Sequence, residues 1–294
     1  EIITEGASEL GPVLEPVAAD PLKLNEAIGE ALKYSLLRRD ASARTISMHR
    51  LVQTVLQGEM QEEAQRQWAE RAVRALNAAF PSVEFALWHR CELLVPQALA
   101  CAALREQLGL ESQEDARLLN KAGLYRHERA RFGEAELLHM RALAIHEKAL
   151  GPDHPNVAMS LNNLAALYQS QGKYAQAEPL LQRALAIREK ALGPDHPAVA
   201  TSLNNLAGLY DSQGKYAQAE PLYQRALGIW ENVVGPDHPD VATGLNNLGG
   251  YMRAKASTPR PSRSSSGRWR SKKRPWGRST PAWPGVSTTW GRCM

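Results

Sequence analysis

A 42-residue repeat is the feature that most constrains what this chain can fold into. The string GPDHP begins at Gly151, Gly193 and Gly235, and LNNL recurs three times with the same spacing. GKYAQAEPL begins at Gly172 and again at Gly214. A fixed period of about 20–50 residues is typical of solenoids, in which each unit buries its apolar face against its neighbours. The sequence therefore predicts a stack of similar units.

The spacing of apolar residues predicts two helices in each unit. In the unit that starts at Pro155, the first helix carries apolar residues every three or four positions and ends at Gly172. The second helix covers about residues 175–192, and Gly193 with the proline after it breaks that helix. Because Leu and Ala dominate the expected core and aromatic residues make up only 6% of the chain, the predicted fold class is all-α.

The Leu–Ala–Tyr pattern, the LNNLA core and the GxDHP loop resemble the tetratricopeptide repeat, in the longer form found in kinesin light chains and bacterial signalling proteins. The resemblance covers about residues 114–252 and implies a right-handed superhelical solenoid of helix hairpins over residues 109–252. The first unit departs from the pattern, with Ala122 in place of Leu and Arg126 in place of Tyr. Since end repeats are often atypical, we expect this unit to act as an N-terminal cap.

By this resemblance, amide side chains on the first helix of each unit bind a protein or peptide partner in a concave groove. An amide both donates and accepts hydrogen bonds, so it can satisfy an extended peptide backbone of any sequence. The alternative is that one amide of each pair bonds the neighbouring hairpin and only holds the stack. The candidate groove residues are Asn120, Asn162, Asn163, Asn204, Asn205, Asn246 and Asn247.

Residues 1–60 carry a different pattern. A helix is predicted at residues 22–33, two short strands at residues 34–39 and 45–49 around a turn at residues 40–43, and a further helix from near Arg50. The string YSLLRRD…RTISMHRLVQTVL resembles the winged-helix end of NB-ARC-class STAND signalling ATPases. In that family a Met-His-Asp motif contacts the nucleotide phosphates; Met48 and His49 match it, whereas Arg50 replaces the Asp. The resemblance implies that His49 is a nucleotide sensor, and the alternative is that it merely caps the hairpin.

No catalytic motif accompanies these segments. A GxxxxGK[ST] phosphate loop is absent from the sequence, so we expect a chain that is not an enzyme and holds no cofactor of its own. ATP or ADP would bind only with an NTPase domain upstream, and the absence of an initiating Met hints at such a segment. We therefore predict the protein-binding sensor part of a STAND-type signalling protein. The alternative is a stand-alone adaptor resembling the cargo-binding repeats of kinesin light chain.

The spacing of apolar residues in 61–108 predicts a helical connector divided by Pro81 and Pro96, with Trp68 and Trp88 as core residues that seal the N-terminal unit to the repeats. The chain has three cysteines, which cannot form a disulfide framework or a four-ligand zinc site. We expect Cys91 and Cys101 to be buried thiols, and the protein to be cytoplasmic.

Charge and hydropathy exclude other partners. Eleven of the 35 Lys and Arg lie in residues 253–292, which lack Asp and Glu, so residues 1–252 carry 24 basic and 31 acidic side chains, a net charge of −7. Such a body does not attract nucleic acid, and no apolar run reaches the roughly 18 residues of a membrane span. One histidine per GPDHP loop indicates a cap residue rather than a metal ligand; these are His154, His196 and His238.

Residues 253–294 are predicted to be a disordered basic tail translated out of frame from a further repeat. Each codon's third base, read with the first two bases of the next codon, lets residues 255–294 spell GKYAEAEPLFQRALAIEEKALGPEHP and later SLNNLGALY, in step with the repeat. Trp has one codon, so four tryptophans fix the first base of four shifted codons; they are Trp269, Trp276, Trp283 and Trp290. These codons give Ala, Gly, Ala and Gly, which match Ala186, Gly193, Ala200 and Gly249 at whole multiples of the period. The helix at about 239–252 would then lack its partner, which leaves its apolar face open to self-association.

Overall fold

The computed structural model describes residues 2–40 and 45–257. Within them, helices dominate and pack as tandem hairpins, as the repeat predicts. The predicted turn residues 41–43 and the tail beyond residue 257 lie outside the described residues. The disorder and the shifted reading frame of that tail therefore stay predictions.

The N-terminal segment begins with short helices and one β-hairpin. The elements are α1 (Ile2–Glu5), a 3-10 turn (Ala7–Glu9), α2 (Gly11–Ala18), α3 (Pro21–Lys33), β1 (Leu37–Asp40), β2 (Thr45–Met48) and α4 (Arg50–Glu59). The strands are antiparallel, with Leu37 opposite Met48, so the predicted order of helix, hairpin and helix is confirmed. However, Leu51, Val55 and Leu56 of α4 are exposed. These exposed apolar side chains of α4 lie outside any packed core among the described residues.

The connector consists of two long helices, α5 (Glu62–Ala79) and α6 (Trp88–Gln107), separated by a 3-10 turn at Phe85–Leu87. As predicted, α5 ends before Pro81. The prediction that Pro96 divides the connector is wrong, because α6 runs through it. Proline in a helix interior costs about 3 kcal/mol, and the burial of Val95 and Ala98 on either side of it in the core offsets that cost.

The buried thiols of the connector are confirmed, and Trp88 packs against the core while partly buried, whereas Trp68 does not lie in the core. Cys91 and Cys101 are both free and buried, and burial raises the pKa of Cys101 to about 11. Trp68 is 37% exposed and lies beside a largely apolar cavity of about 780 Å³ between the N-terminal helices and the connector. The prediction for Trp68 is wrong because α1 and α5 leave this space open, which helical spacing alone cannot reveal.

The repeat region forms three complete hairpins and a final single helix within the described residues. We call the first helix of each hairpin its A helix and the second its B helix. The A helices are α7 (Gln113–Glu128), α9 (Pro155–Ser170), α11 (Pro197–Ser212) and α13 (Pro239–Ser257), and the B helices are α8 (Phe132–Leu150), α10 (Tyr174–Leu192) and α12 (Tyr216–Val234). The B helices end at glycines whose φ is close to +87°, a conformation that side chains disfavour; these are Gly151, Gly193 and Gly235.

The last A helix differs from its predecessors in what covers it. Leu161 and Leu203 occupy the same repeat position and are fully buried, whereas their counterpart Leu245 is 51% exposed. No B helix follows α13 among the described residues. The predicted boundary at residue 252 is wrong by five residues, because α13 continues to Ser257.

Candidate functional site

A cavity of about 340 Å³ lies between successive A helices of the repeat region. We call it the amide pocket, because four of the predicted asparagines line it. They are Asn162, Asn204, Asn205 and Asn247. The side chains come from α9, α11 and α13, so a ligand in the pocket would touch three consecutive repeats.

Asn162 is the least satisfied of these amides. Its side chain is 8% exposed, and neither Oδ1 nor Nδ2 has a hydrogen-bond partner within the described part of the chain. A buried polar group left without a partner costs about 1–3 kcal/mol. A ligand that supplies one donor and one acceptor would remove that cost.

The other amides divide between holding the stack and facing the pocket. Nδ2 of Asn247 donates to Oδ1 of Asn204 at 3.0 Å, which joins α13 to α11 as the alternative interpretation requires. Asn205 is half-buried and lines the pocket. Asn163 is half-buried and Asn246 is exposed, and neither lines the pocket. The pairs predicted as equivalent are therefore used differently.

Asn120 lies between hairpins instead of on the pocket wall. Its Oδ1 contacts Nδ1 of His139 at 2.9 Å, and its Nδ2 donates to Oγ of Ser160 at 2.9 Å. Because both ends of the amide are used inside the fold, the structure assigns Asn120 to the stack. This differs from its predicted place in the groove.

The same contacts continue into a buried polar chain of four side chains. Oγ of Ser160 also contacts Nδ1 of His146 at 2.8 Å, so the chain runs from His139 through Asn120 and Ser160 to His146. Burial lowers the pKa of His139 from 6.5 to about 4, and burial also lowers the pKa of His146. The network is therefore a neutral connection between α7, α8 and α9.

The amide pocket contains residues that the sequence analysis missed. Gln169 and Asp211 line it from the A helices, seven residues after Asn162 and Asn204 respectively. Residues four and seven apart share one face of a helix. Helical periodicity starting from the asparagines could therefore have found them. Tyr223 completes the pocket from the B helix α12.

Asp211 brings the only charge among the described residues that line the pocket. Its buried Oδ1 has no hydrogen-bond partner there, and burial raises the pKa of its carboxyl group. Burial together with the charge of Asp211 raises the pKa of Tyr223 to about 12. The pocket is thus lined by amides, one phenol and one poorly solvated carboxylate.

The loop histidines are helix caps, as predicted. Nδ1 of each accepts a hydrogen bond from the backbone N–H two residues later, at 3.1–3.2 Å; they are His154, His196 and His238. His49 caps α4 in the same way, accepting from the N–H of Leu51 at 3.2 Å. In residues 2–40 and 45–257, no group of three or more His, Cys, Asp or Glu is placed to hold a metal ion. No helix in these ranges is both long and apolar enough to cross a membrane.

Comparisons with known proteins bear on both halves of the chain. A family model described as tetratricopeptide repeat matches residues 114–190, 160–231 and 212–257. Residues 114–257 are tetratricopeptide repeats. A second family model, described as a domain of unknown function (DUF7779), matches residues 1–65. No curated protein matches the chain.

Solved tetratricopeptide structures resemble the chain. One is a singly substituted form of the nearly identical repeats of a Podosopora anserina protein described as a kinesin light chain, with a TM-score of 0.50, 21% identity, and coverage of 67% of this chain and 90% of that one. The form without that substitution has a TM-score of 0.48, 22% identity, and coverage of 66% and 86%. BtubC (BKLC) from P. vanneervenii has a TM-score of 0.46, 23% identity, and coverage of 73% and 100%. At 21% identity, the likeness with a TM-score of 0.50 shows the fold alone.

Proposed function

We propose that the tetratricopeptide array binds an extended peptide segment of a partner protein in the amide pocket. Tetratricopeptide repeats generally bind protein or peptide partners. The observation that carries the proposal is Asn162, whose buried amide lines the pocket with both polar atoms unpartnered among the described residues. A peptide backbone offers the matching donor and acceptor.

The test begins with selection of random linear peptides on the immobilised full chain. Recovered peptides are then titrated against the variants Asn205→Ala and Asn163→Ala. Both variants remove a side-chain amide, but only Asn205 lines the pocket, so Asn163→Ala is the control. Losing one hydrogen bond of about 1 kcal/mol should weaken binding about fivefold for Asn205→Ala only. Failure to recover any peptide, or equal losses in both variants, would overturn the proposal.

We propose that residues 1–60 are the winged-helix end of a STAND-type module that passes ligand binding to an upstream nucleotide switch. The sequence resemblance and the order of α3, the β-hairpin and α4 support this role. His49 would be the nucleotide sensor, with ATP or ADP held by the upstream domain and no cofactor in this chain. Its Nδ1 is used by the cap of α4, so only Nε2 remains for a phosphate.

The alternative is a stand-alone adaptor, supported by the resemblance of the repeats to kinesin light chain. The coding sequence upstream of Glu1 separates the two: a phosphate-loop motif there supports the STAND role, and a start codon without one supports the adaptor. In both cases we propose a non-enzymatic protein, because this sequence has no GxxxxGK[ST] phosphate loop. We propose a cytoplasmic location because Cys91 and Cys101 are free thiols. ATP hydrolysis above background by the purified chain would contradict the non-enzymatic proposal.

We also propose that the protein self-associates through the exposed side of α13. Leu245 and Met252 are exposed on α13, and in a complete repeat a B helix would cover this side. Sedimentation velocity of the full chain and of Leu245→Gln tests it. A concentration-dependent dimer that the substitution abolishes is expected, and a monomer throughout would contradict it.

A further inference from the structure

Two consecutive repeats present different side chains to the amide pocket. Residues 155–185 and 197–227 differ at five positions. Three of the five lie on the pocket wall: Ala166 becomes Gly208, Gln169 becomes Asp211, and Leu181 becomes Tyr223. The two units therefore present different chemistry to a ligand.

The three replacements fit one another. A Cβ at position 208 would contact Oη of Tyr223 at 3.5 Å, so glycine there leaves the hydroxyl uncovered. Tyr223 is 5% exposed, and its hydroxyl makes no hydrogen bond with any described residue. Burial raises the pKa of Tyr223, and the charge of Asp211 raises it further. Together they form a polar subsite within the pocket.

This subsite is negative and rich in acceptors. The carboxylate of Asp211 has no ion pair among the described residues, and no Lys, Arg or His is among those that line the pocket. Oδ1 of Asn162 and Oη of Tyr223 add two neutral acceptors. A carboxylate withdrawn from water is stabilised when a cation reaches it.

We propose that this subsite binds the cationic side chain of a Lys or Arg in the peptide partner. Asp211 is the counter-ion, Tyr223 accepts a hydrogen bond from the cation, and Asn162 and Asn205 hold the adjoining backbone. The net charge of −7 over residues 1–252 favours the approach of basic segments. The inference rests on the proposed function. It adds a preference for a basic side chain to a pocket that otherwise binds the peptide backbone.

The experiment compares the full chain with Asp211→Gln and Asp195→Asn. Gln already occupies the equivalent position 169 in the preceding repeat, so Asp211→Gln should fold. Asp195 is exposed in a loop and controls for the lost charge. Random linear peptides are selected on each chain, and recovered peptides are titrated, including forms with norleucine in place of the basic residue.

Wild type and Asp195→Asn should select peptides with Lys or Arg enriched at one position, and Asp211→Gln should select peptides without that enrichment. A basic peptide should bind Asp211→Gln about tenfold to a hundredfold more weakly than wild type, and its norleucine form should bind both equally. Peptides recovered without basic enrichment, or with equal enrichment on Asp211→Gln, would overturn this inference alone. Recovery of no peptide by any chain would overturn the proposed function and the inference together.

Discussion

Tyr168 donates its hydroxyl to Oε1 of Glu136 at 2.9 Å, across the junction between consecutive hairpins. One repeat later, Tyr210 makes the same contact with Glu178 at 3.0 Å. Lys173 places its ammonium group over the ring of Tyr168 and pairs with Glu136. A recurring contact of tyrosine, glutamate and lysine therefore joins each hairpin to the one before it.

The last A helix preserves this contact one residue early. Tyr251, rather than Met252, donates to Glu220 at 2.8 Å, although the 42-residue period places the tyrosine at 252. Lys255 pairs with the same glutamate at 2.7 Å. Lys255 thus connects the part of α13 beyond the predicted end at residue 252 to the preceding hairpin.

We expect Tyr210→Phe to lower the free energy of unfolding by about 1 kcal/mol, because it removes a hydrogen bond to a carboxylate and leaves the ring packed. Urea denaturation of both chains measures the change. A double-mutant cycle with Glu178→Gln should show coupling between the two positions. Tyr174→Phe is the control, since the hydroxyl of Tyr174 makes no hydrogen bond with described residues. Equal losses at the two tyrosines would show that the contact contributes nothing.

The same substitution at equivalent positions should have unequal effects on stability. Leu203→Ala removes a fully buried side chain and should cost about 2–5 kcal/mol. Leu245→Ala removes a side chain that is half exposed and should cost less than about 1 kcal/mol. Denaturant titrations under identical conditions compare them. Similar losses would mean that Leu245 is covered in solution.

Much of the repeat region could be predicted from sequence because its determinants are local. The histidine and proline that begin α9, α11 and α13, and the glycine that ends each B helix, are close together in the chain, and they act in the structure as expected. Pro96 and Trp68 were predicted wrongly because their environments depend on residues distant in sequence. Local propensity could not show that packing would carry α6 through Pro96.

The candidate site was predictable only in part. The asparagines were predicted because they recur. Recurrence could not show that both ends of the Asn120 amide bond His139 and Ser160, whereas the Asn162 amide has no partner among the described residues. Asp211 and Tyr223 could not be predicted from recurrence, because they replace the residues that the preceding repeat has at these positions. In this array, the distinctive chemistry lies at the positions where the repeats differ.

The buried histidines should make the fold sensitive to mild acid. The folded state holds the pKa of His139 at about 4, against 6.5 when unfolded, so between these values the unfolded chain binds more protons. Stability from this group is therefore full above about pH 6.5 and is lost as the pH falls towards 4. At pH 5 the loss should be roughly 2 kcal/mol, and His146 should add to it in the same direction.

Chemical denaturation at several pH values between 7 and 5 measures this slope. His139→Gln keeps a neutral hydrogen-bonding group beside Asn120 and should flatten it. His89→Gln serves as the control, since it removes an exposed imidazole without opening the buried network. An unchanged slope in His139→Gln would show that His139 does not cause the acid sensitivity.

The last prediction concerns the space beside the same histidine. A Cβ on Gly123 would lie 2.8 Å from Cε1 of His139, and His139 is fully buried and held by Asn120. Alanine normally stabilises a helix interior by about 1 kcal/mol over glycine, but overpacking a core costs about 1–3 kcal/mol. We therefore expect Gly123→Ala to lower the free energy of unfolding.

Gly228→Ala is the matched control for that substitution. Gly228 lies inside α12 with no atom within 4 Å of an added Cβ, and the preceding repeat already has Ala186 at the same position. It should raise the free energy of unfolding by about 0.5–1 kcal/mol. Thermal and urea unfolding of both variants and of the unmodified protein measure these changes in the free energy of unfolding. If Gly123→Ala stabilises the protein as much as Gly228→Ala does, His139 has room to move, and the buried chain from His139 to His146 is not rigid.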